Sequence, residues 1–522
     1  MTRLTQTLLV LALSGCATPF TNEFSDAVAT ETLTVLSEVA RPRFVATRDA
    51  SWTWYGEADY LGEPAIFRFE WEGDSFRRAL EGRLGRTLGF DGSEGWSQSS
   101  QGLVRPLVLE ELDRERFLTA ALTGAWIDAQ APLSAHPRTA DDGTITVELR
   151  LDDSPLTMDL VVDRDSGEPL RLEGGSESGR VVWGFEGWQV RNGALVPSLI
   201  RHAAAEGSIE NSIRLVQIEQ GIAGDTSELF GRPQSAPRNV TFHDSVHPRI
   251  EARRVETGHV LVRPVVDGRE VGWFVFDSGA GGLVIDDDIA DSLNLRGFGK
   301  VVAVGVSGRT DARFREASSL RLGPLEISDP LFVELSLDFL EGAFGVPVAG
   351  LVGYDVLAHS IVLFDQENRV ERDPILEIHA PDSGVFADAT WSKLTLDERL
   401  PCIEASFEGG HSGLFKIDTG ASGNLTFHAP AVKRFDLARG RKLQQRRTAG
   451  VGGVGRSWSG KVDWLEIAGQ RFEDLEVEFA DGKVGAFADV YTMGNLGQGL
   501  LGNFRLVFDY GRERIALIPR DH

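Results

Sequence analysis

Between residues 50 and 220 apolar and polar positions alternate in short runs, TVELRL at 146–151 and MDLVVD at 158–163 among them. A two-residue period sends successive side chains to opposite faces of an extended chain, so each run predicts a strand with one buried face. Turn-forming clusters (DDG, DDSP, DSGEP) separate the runs, which predicts antiparallel neighbours. LDRERFLTAALTGAWI at 112–127 breaks the alternation with helical spacing, and SDAVATETLTVLSEVA, within 20–45, is mildly helical. Residues 46–220 are therefore expected to form a curved antiparallel sheet with one or two helices on one face. In GFDGSEGWSQSSQG at 89–102, Asp91 and Gly92 read as a turn and Trp96 as an aromatic plug.

Periodicity fades over 221–250, GIAGDTSELFGRPQSAPRNVTFHDSVHPRI, whose Gly, Pro and Ser content predicts a linker. His243 and His247 lie here four apart, but Pro248 and the lack of a third ligand nearby argue against a metal site.

Beyond the linker the pattern is written twice. HVLVRPVVDGREVGWFVFDSGAGGLVID at 259–286 corresponds to RLPCIEASFEGGHSGLFKIDTGASGNLTFH at 399–428. VVAVGVSGRT at 301–310 answers TAGVGGVGRSWSG at 448–460. SLRLGPLEISDPLFVEL at 319–335 answers WLEIAGQRFEDLEVEF at 464–479. AGLVGYDVLAHSIVLFDQENRV at 349–370 answers QGLLGNFRLVFDYGRERIAL at 498–517. Four blocks in one order predict a duplicated, mainly β unit: one lobe over 251–374 and a second over 375–522.

Composition narrows the function classes. The 522-residue chain is 42% hydrophobic and 25% charged, typical of globular proteins, and is long enough for several domains. A formal net charge of −25 argues against a nucleic-acid partner, which clustered Lys and Arg would serve. The basic run KRFDLARGRKLQQRR at 433–447 is the local exception and reads as a solvated face. Two cysteines in unlike contexts, Cys16 and Cys402, do not make a disulfide framework. MTRLTQTLLVLALSGC has a basic start and an apolar run too short to span a bilayer, so residues 1–15 read as an export signal. Leu13-Ser14-Gly15-Cys16 resembles the bacterial lipobox. That resemblance implies lipidation at Cys16, a tether over 16–45, and an envelope location on the outer membrane facing the periplasm.

The chemistry sits in FVFDSGAGG (274–282) and FKIDTGASG (415–423). A carboxylate at the end of an apolar strand needs hydrogen bonds to its oxygens. The following hydroxyl and glycine can provide them, the glycine by letting the backbone turn its N–H groups toward the acid. Two such turns face to face bring Asp277 and Asp418 together. Like charges in contact share a proton, so one acid can activate a water while the other polarises a carbonyl. No metal or cofactor is required, and no GxSxG, HExxH or CxxC offers a competing site.

Residues 255–520 resemble two fused retropepsin-like aspartyl protease lobes of the bacterial type. The resemblance rests on both Asp-(Ser/Thr)-Gly-Ala turns, the Gly-rich stretch after each, and an apolar-apolar-Gly element read as Leu351-Val352-Gly353 and Leu500-Leu501-Gly502. It implies a pepsin-like pair of β-barrel lobes in one chain, with Asp277 and Asp418 as the catalytic pair. Ser278 and Thr419 would brace the turns, and Gly279 and Gly420 would permit them. Gly305 and Gly308, then Gly450, Gly452, Gly453 and Gly455, would form flaps over a peptide substrate. Neither flap offers a Tyr, and Gly281 stands where the second lobe has Ser422. The first unit resembles the half-barrel of periplasmic lipoprotein-carrier domains. A function of another class, a non-catalytic envelope module binding a peptide, lipoprotein or hydrophobic ligand, would tolerate loss of either Asp. Sequence leaves the oligomeric state open.

Overall fold

The computed structural model describes residues 25–141, 143–175, 180–204, 210–305, 308–367, 372–450 and 453–520. Cys16 and Gly452 lie outside them. Among the described residues no helix is long and apolar enough to cross a membrane.

The alternating runs between Trp52 and Gln220 assemble into one 13-stranded sheet. Neighbours in sequence are mostly neighbours in space, as short turns dictate. The exception is the first strand, Trp52–Tyr60, which also pairs with the last, Glu210–Gln220. The helices Asp26–Arg48 and Leu109–Thr123 belong to the same core: Phe44, Phe117, Leu118 and Ala121 pack with Trp54, Phe69 and Trp71. Gly124 ends the second helix in a left-handed conformation. Asp91 accepts the N–H groups of Ser93 (2.8 Å) and Glu94 (2.7 Å), and Gly92 has φ +96°. Trp96 is buried and donates to Phe230 O at 2.7 Å, so it plugs the sheet against residue 230 of the next segment.

Residues 221–250 carry more structure than their composition suggests. Thr226–Phe230 is a short helix capped by Asp225. Val240–Phe242 pairs with Leu325–Ile327 of the first lobe, and Arg249–Ile250 pairs with Leu376–Glu377. His243 bonds Glu326 at 2.7 Å and His247 accepts the Arg249 N–H at 3.0 Å.

The duplication is explicit in the sheets. The first lobe orders its strands Ala252–Arg254, Val260–Val262, Trp273–Phe276, Val348–Val352, Leu283–Asp286, Leu331–Leu335, Arg309–Glu316 and Arg296–Val304. The second repeats that order with Thr395–Asp397, Leu400–Phe407, His411–Ile417, Thr492–Leu496, Leu425–Phe427, Gln470–Ala480, Gly453–Ile467 and Gln444–Gly450. A six-stranded sheet joins the lobes. At its centre Ile361–Phe364 of the first lies antiparallel to Leu506–Asp509 of the second. The acids that end these two strands serve the sheet: Arg520 pairs with Asp365 at 2.7 Å, and Arg514 with Asp509 at 2.8 Å.

Candidate active site

Each Asp-(Ser/Thr)-Gly turn follows a buried strand, Trp273–Phe276 or His411–Ile417, and is held by a parallel neighbour. Asp277 N–H donates to Val352 O and Asp418 N–H to Leu496 O, both at 2.9 Å. The holding element in the second lobe is therefore Asn495-Leu496-Gly497. Leu500 and Leu501, assigned to it from sequence, lie instead on the short helix Gln498–Leu501 that follows. Two adjacent leucines before a glycine imitate the pattern five residues too late.

The two turns lock together through their hydroxyls. Ser278 Oγ donates to Ile417 O (2.7 Å) and accepts from Thr419 N (3.0 Å). Thr419 Oγ1 donates to Phe276 O (3.0 Å) and accepts from Ser278 N (2.8 Å). All four bonds cross between lobes, and both side chains are buried. Each hydroxyl thus braces the opposite turn.

Gly279 N–H donates to Asp277 Oδ1 at 2.7 Å and Gly420 N–H to Asp418 Oδ1 at 2.9 Å. Neither glycine has a positive φ. The reason for glycine is space: a Cβ on Gly420 would stand 2.4 Å from Asp277 Cγ, and one on Gly279 would stand 2.7 Å from Asp418 Oδ1. Each carboxyl leans over the other lobe's turn, which is how the two acids come face to face. Burial, then the charge of Asp418, pushes Asp277 up to about 8. Burial also pushes Asp418 up, while N–H donors at Gly420 and Asn495 and the Lys416 charge pull the other way. Burial and the neighbouring acid thus both favour a proton on this pair.

The flap glycines sit at hairpin tips. Gly305 N–H donates to Gly308 O at 2.9 Å, closing the hairpin of Arg296–Val304 and Arg309–Glu316. Gly305 O accepts from Ala486 N at 3.1 Å, so this tip touches the other lobe. In the second hairpin Gly450 pairs with Gly453 and Thr448 with Gly455. Gly450 ends one strand of that hairpin and Gly453 begins the other, so the string leads into a strand and not into the helix N-terminus that a dinucleotide loop needs. Of the basic run, Lys433 and Arg434 end a helix and residues 444–447 begin the flap strand.

The first sheet docks beside this cleft. Lys300 N–H of the first flap hairpin donates to Leu61 O at 2.7 Å, and Arg83 pairs with Glu316 while lying 3.4 Å from the Phe298 ring centre. Tyr491 donates to Asp113 at 2.7 Å. One cavity of about 1400 Å³ runs from Asp277 and Asp418 to Phe67, Leu118 and Trp183 on the inner side of the sheet.

Sequence reasoning missed a polar group behind Asp418. It comprises Asn495, His428, Lys416, Asp397 and Asp489, and two of these replace apolar residues of the first lobe: Asn495 matches Leu351 and Lys416 matches Val275. The polar residues inside apolar strands were the available signal, hidden by the misplaced third element.

The two lobes thus repeat one β fold about a pair of facing carboxyls. Residues 262–356 and 403–503 each match the family model described as aspartyl protease, one match per lobe. No curated protein matches the chain.

Proposed function

We propose that the chain is an aspartic endopeptidase whose single site is shared by its own two lobes. The observation that carries this is the crossed set of four hydrogen bonds between Ser278 and Thr419 and the opposite lobe. It supports a pairing of Asp277 with Asp418 without a second chain. A water between the acids loses a proton to the ionised carboxylate and attacks the peptide carbonyl. The protonated carboxyl donates to the carbonyl oxygen, and the resulting tetrahedral adduct collapses with protonation of the leaving amine. The flap hairpins cover an extended peptide and limit water. Lipidation of Cys16 would hold the enzyme at the envelope, with the carrier-like first sheet beside the cleft. Cleavage of a peptide library by the chain lacking residues 1–16 tests the reading. Asp277→Asn and Asp418→Asn should each abolish turnover, and turnover surviving both changes refutes the site.

A further inference from the structure

The two acids are not equivalent. Each receives its own turn's glycine N–H on Oδ1, and the Gly420 N–H also acts on Asp277. Asp418 receives a further donor on Oδ2, the Asn495 amide at 2.9 Å. The matching position in the first lobe is Leu351, whose side chain has nothing to donate.

Asn495 is itself oriented. Its Oδ1 lies 3.2 Å from Nε2 of His428, a fully buried ring. An amide oxygen only accepts, so a hydrogen bond here puts the imidazole proton on Nε2. Burial lowers the ring to about 4, so it is neutral and Nδ1 then has no proton to give Thr492 O. The Nε2 bond turns the Asn495 NH₂ toward Asp418. On the other side of the ring, Nδ1 lies 3.1 Å from Thr492 Oγ1 and 3.2 Å from Thr492 O. Thr492 Oγ1 donates to Asp489 at 2.5 Å, and Asp489 pairs with Lys416 at 2.9 Å. Lys416 also pairs with Asp397 at 3.0 Å. The chain of contacts thus runs from Asp418 through an amide, an imidazole and a hydroxyl to a buried ion triad.

We propose that Asn495, oriented by His428, is the positioning residue that keeps the anion on Asp418 and leaves Asp277 to carry the shared proton. In the reaction read above, Asp418 then takes the proton from water and Asp277 donates to the carbonyl oxygen. This rests on that reading for its roles in turnover, but the location of the proton does not. The charged and titratable groups around Asp418 agree with the assignment. Asp277 faces it from the first lobe, and Lys416 precedes it on its own strand by two residues. Asp489 and Asp397 neutralise that lysine. His259, from the first lobe, bonds Gly420 O at 2.8 Å and carries no charge toward the carboxylate when neutral. Tyr510 lies on the Asp277 side, and burial keeps its phenol protonated.

The test substitutes Asn495→Leu, copying the side chain that the first lobe already accommodates at this place. Two readouts are taken: the pH profile of kcat/KM, and an infrared titration of isotope-labelled aspartate carboxyls, assigned by difference against Asp277→Asn and Asp418→Asn. Loss of one donor to a carboxylate raises the pH at which the pair first ionises, by about one unit. Both the acid limb and the infrared transition should move up together. His428→Gln, which keeps a donor toward Asn495 Oδ1, should leave both near their original positions. A profile and titration unmoved by Asn495→Leu would overturn the proposal. An infrared shift without cleavage by any form would support the proton assignment and overturn the peptidase reading instead.

Discussion

The bonds of the Thr419 hydroxyl can be removed with almost no change of shape by Thr419→Val. The substitution orphans two groups in a buried interface, Phe276 O and Ser278 N. Each unsatisfied buried group costs about 1–3 kcal/mol, so the local loss is about 4 kcal/mol. At a factor of ten per about 1.4 kcal/mol, amide exchange in a segment covering Ser278 should speed up by about a thousandfold. Hydrogen exchange read by mass spectrometry on peptides spanning 270–280 and 412–422 measures this directly, without requiring turnover. Thr419→Ser retains the hydroxyl and should exchange close to the unaltered chain. If the turns are also what aligns the acids, kcat falls about a hundredfold in Thr419→Val, since sub-ångström misplacement is costly. Unchanged protection at Ser278 in Thr419→Val would refute the claim that these hydroxyls hold the lobes in register.

Other outcomes are equally specific. Because Asp277 is raised to about 8, its proton is bound more tightly in the folded chain than in the unfolded one. The stability it contributes is therefore full at acid pH and declines as pH rises toward 8. Denaturant titrations should show that decline in the unaltered chain and less of it in Asp277→Asn, while kcat/KM, which needs the proton on Asp277, should fall as pH passes about 8. Gly420→Ala should abolish cleavage, its methyl meeting Asp277 Cγ at 2.4 Å, whereas Gly281→Ser enters open space and should be tolerated; paired kinetic assays decide both. Lys416→Met strands Asp397 and Asp489 and should destabilise by about 3–5 kcal/mol in denaturant unfolding. Adding Asp397→Asn and Asp489→Asn should restore most of that loss.

Much of the architecture was readable because it rests on local signals. Alternation and turn residues announced the strands of the first sheet, and the repeated Asp-(Ser/Thr)-Gly words announced the paired turns. The Leu500 assignment failed because an apolar-apolar-Gly search rewards hydrophobicity, while the true element carries Asn495 at the position that faces an acid. Gly279 and Gly420 do turn their N–H groups to the acids, but the room they make for the opposite carboxyl went unread for a related reason. A turn glycine and a glycine that makes room for another lobe look identical in one dimension. The meeting of the flap strand with Leu61 and Arg83 is a contact between segments more than 200 residues apart, and no local pattern records it.

The central sheet has a consequence for the integrity of the chain. Its strands group by half: Arg249–Ile250, Ile375–His379 and Ile361–Asp365 form one side, Phe504–Asp509, Arg514–Pro519 and Ser392–Lys393 the other, and the halves meet where Ile361–Phe364 lies against Leu506–Asp509. The link between the halves passes through residues 381–384, which are exposed. A nick there severs a covalent connection that the packing does not use. The two pieces would remain associated through the sheet and the crossed turns, and each could be made separately and combined. The two halves thus meet as two subunits would, although one polypeptide carries both.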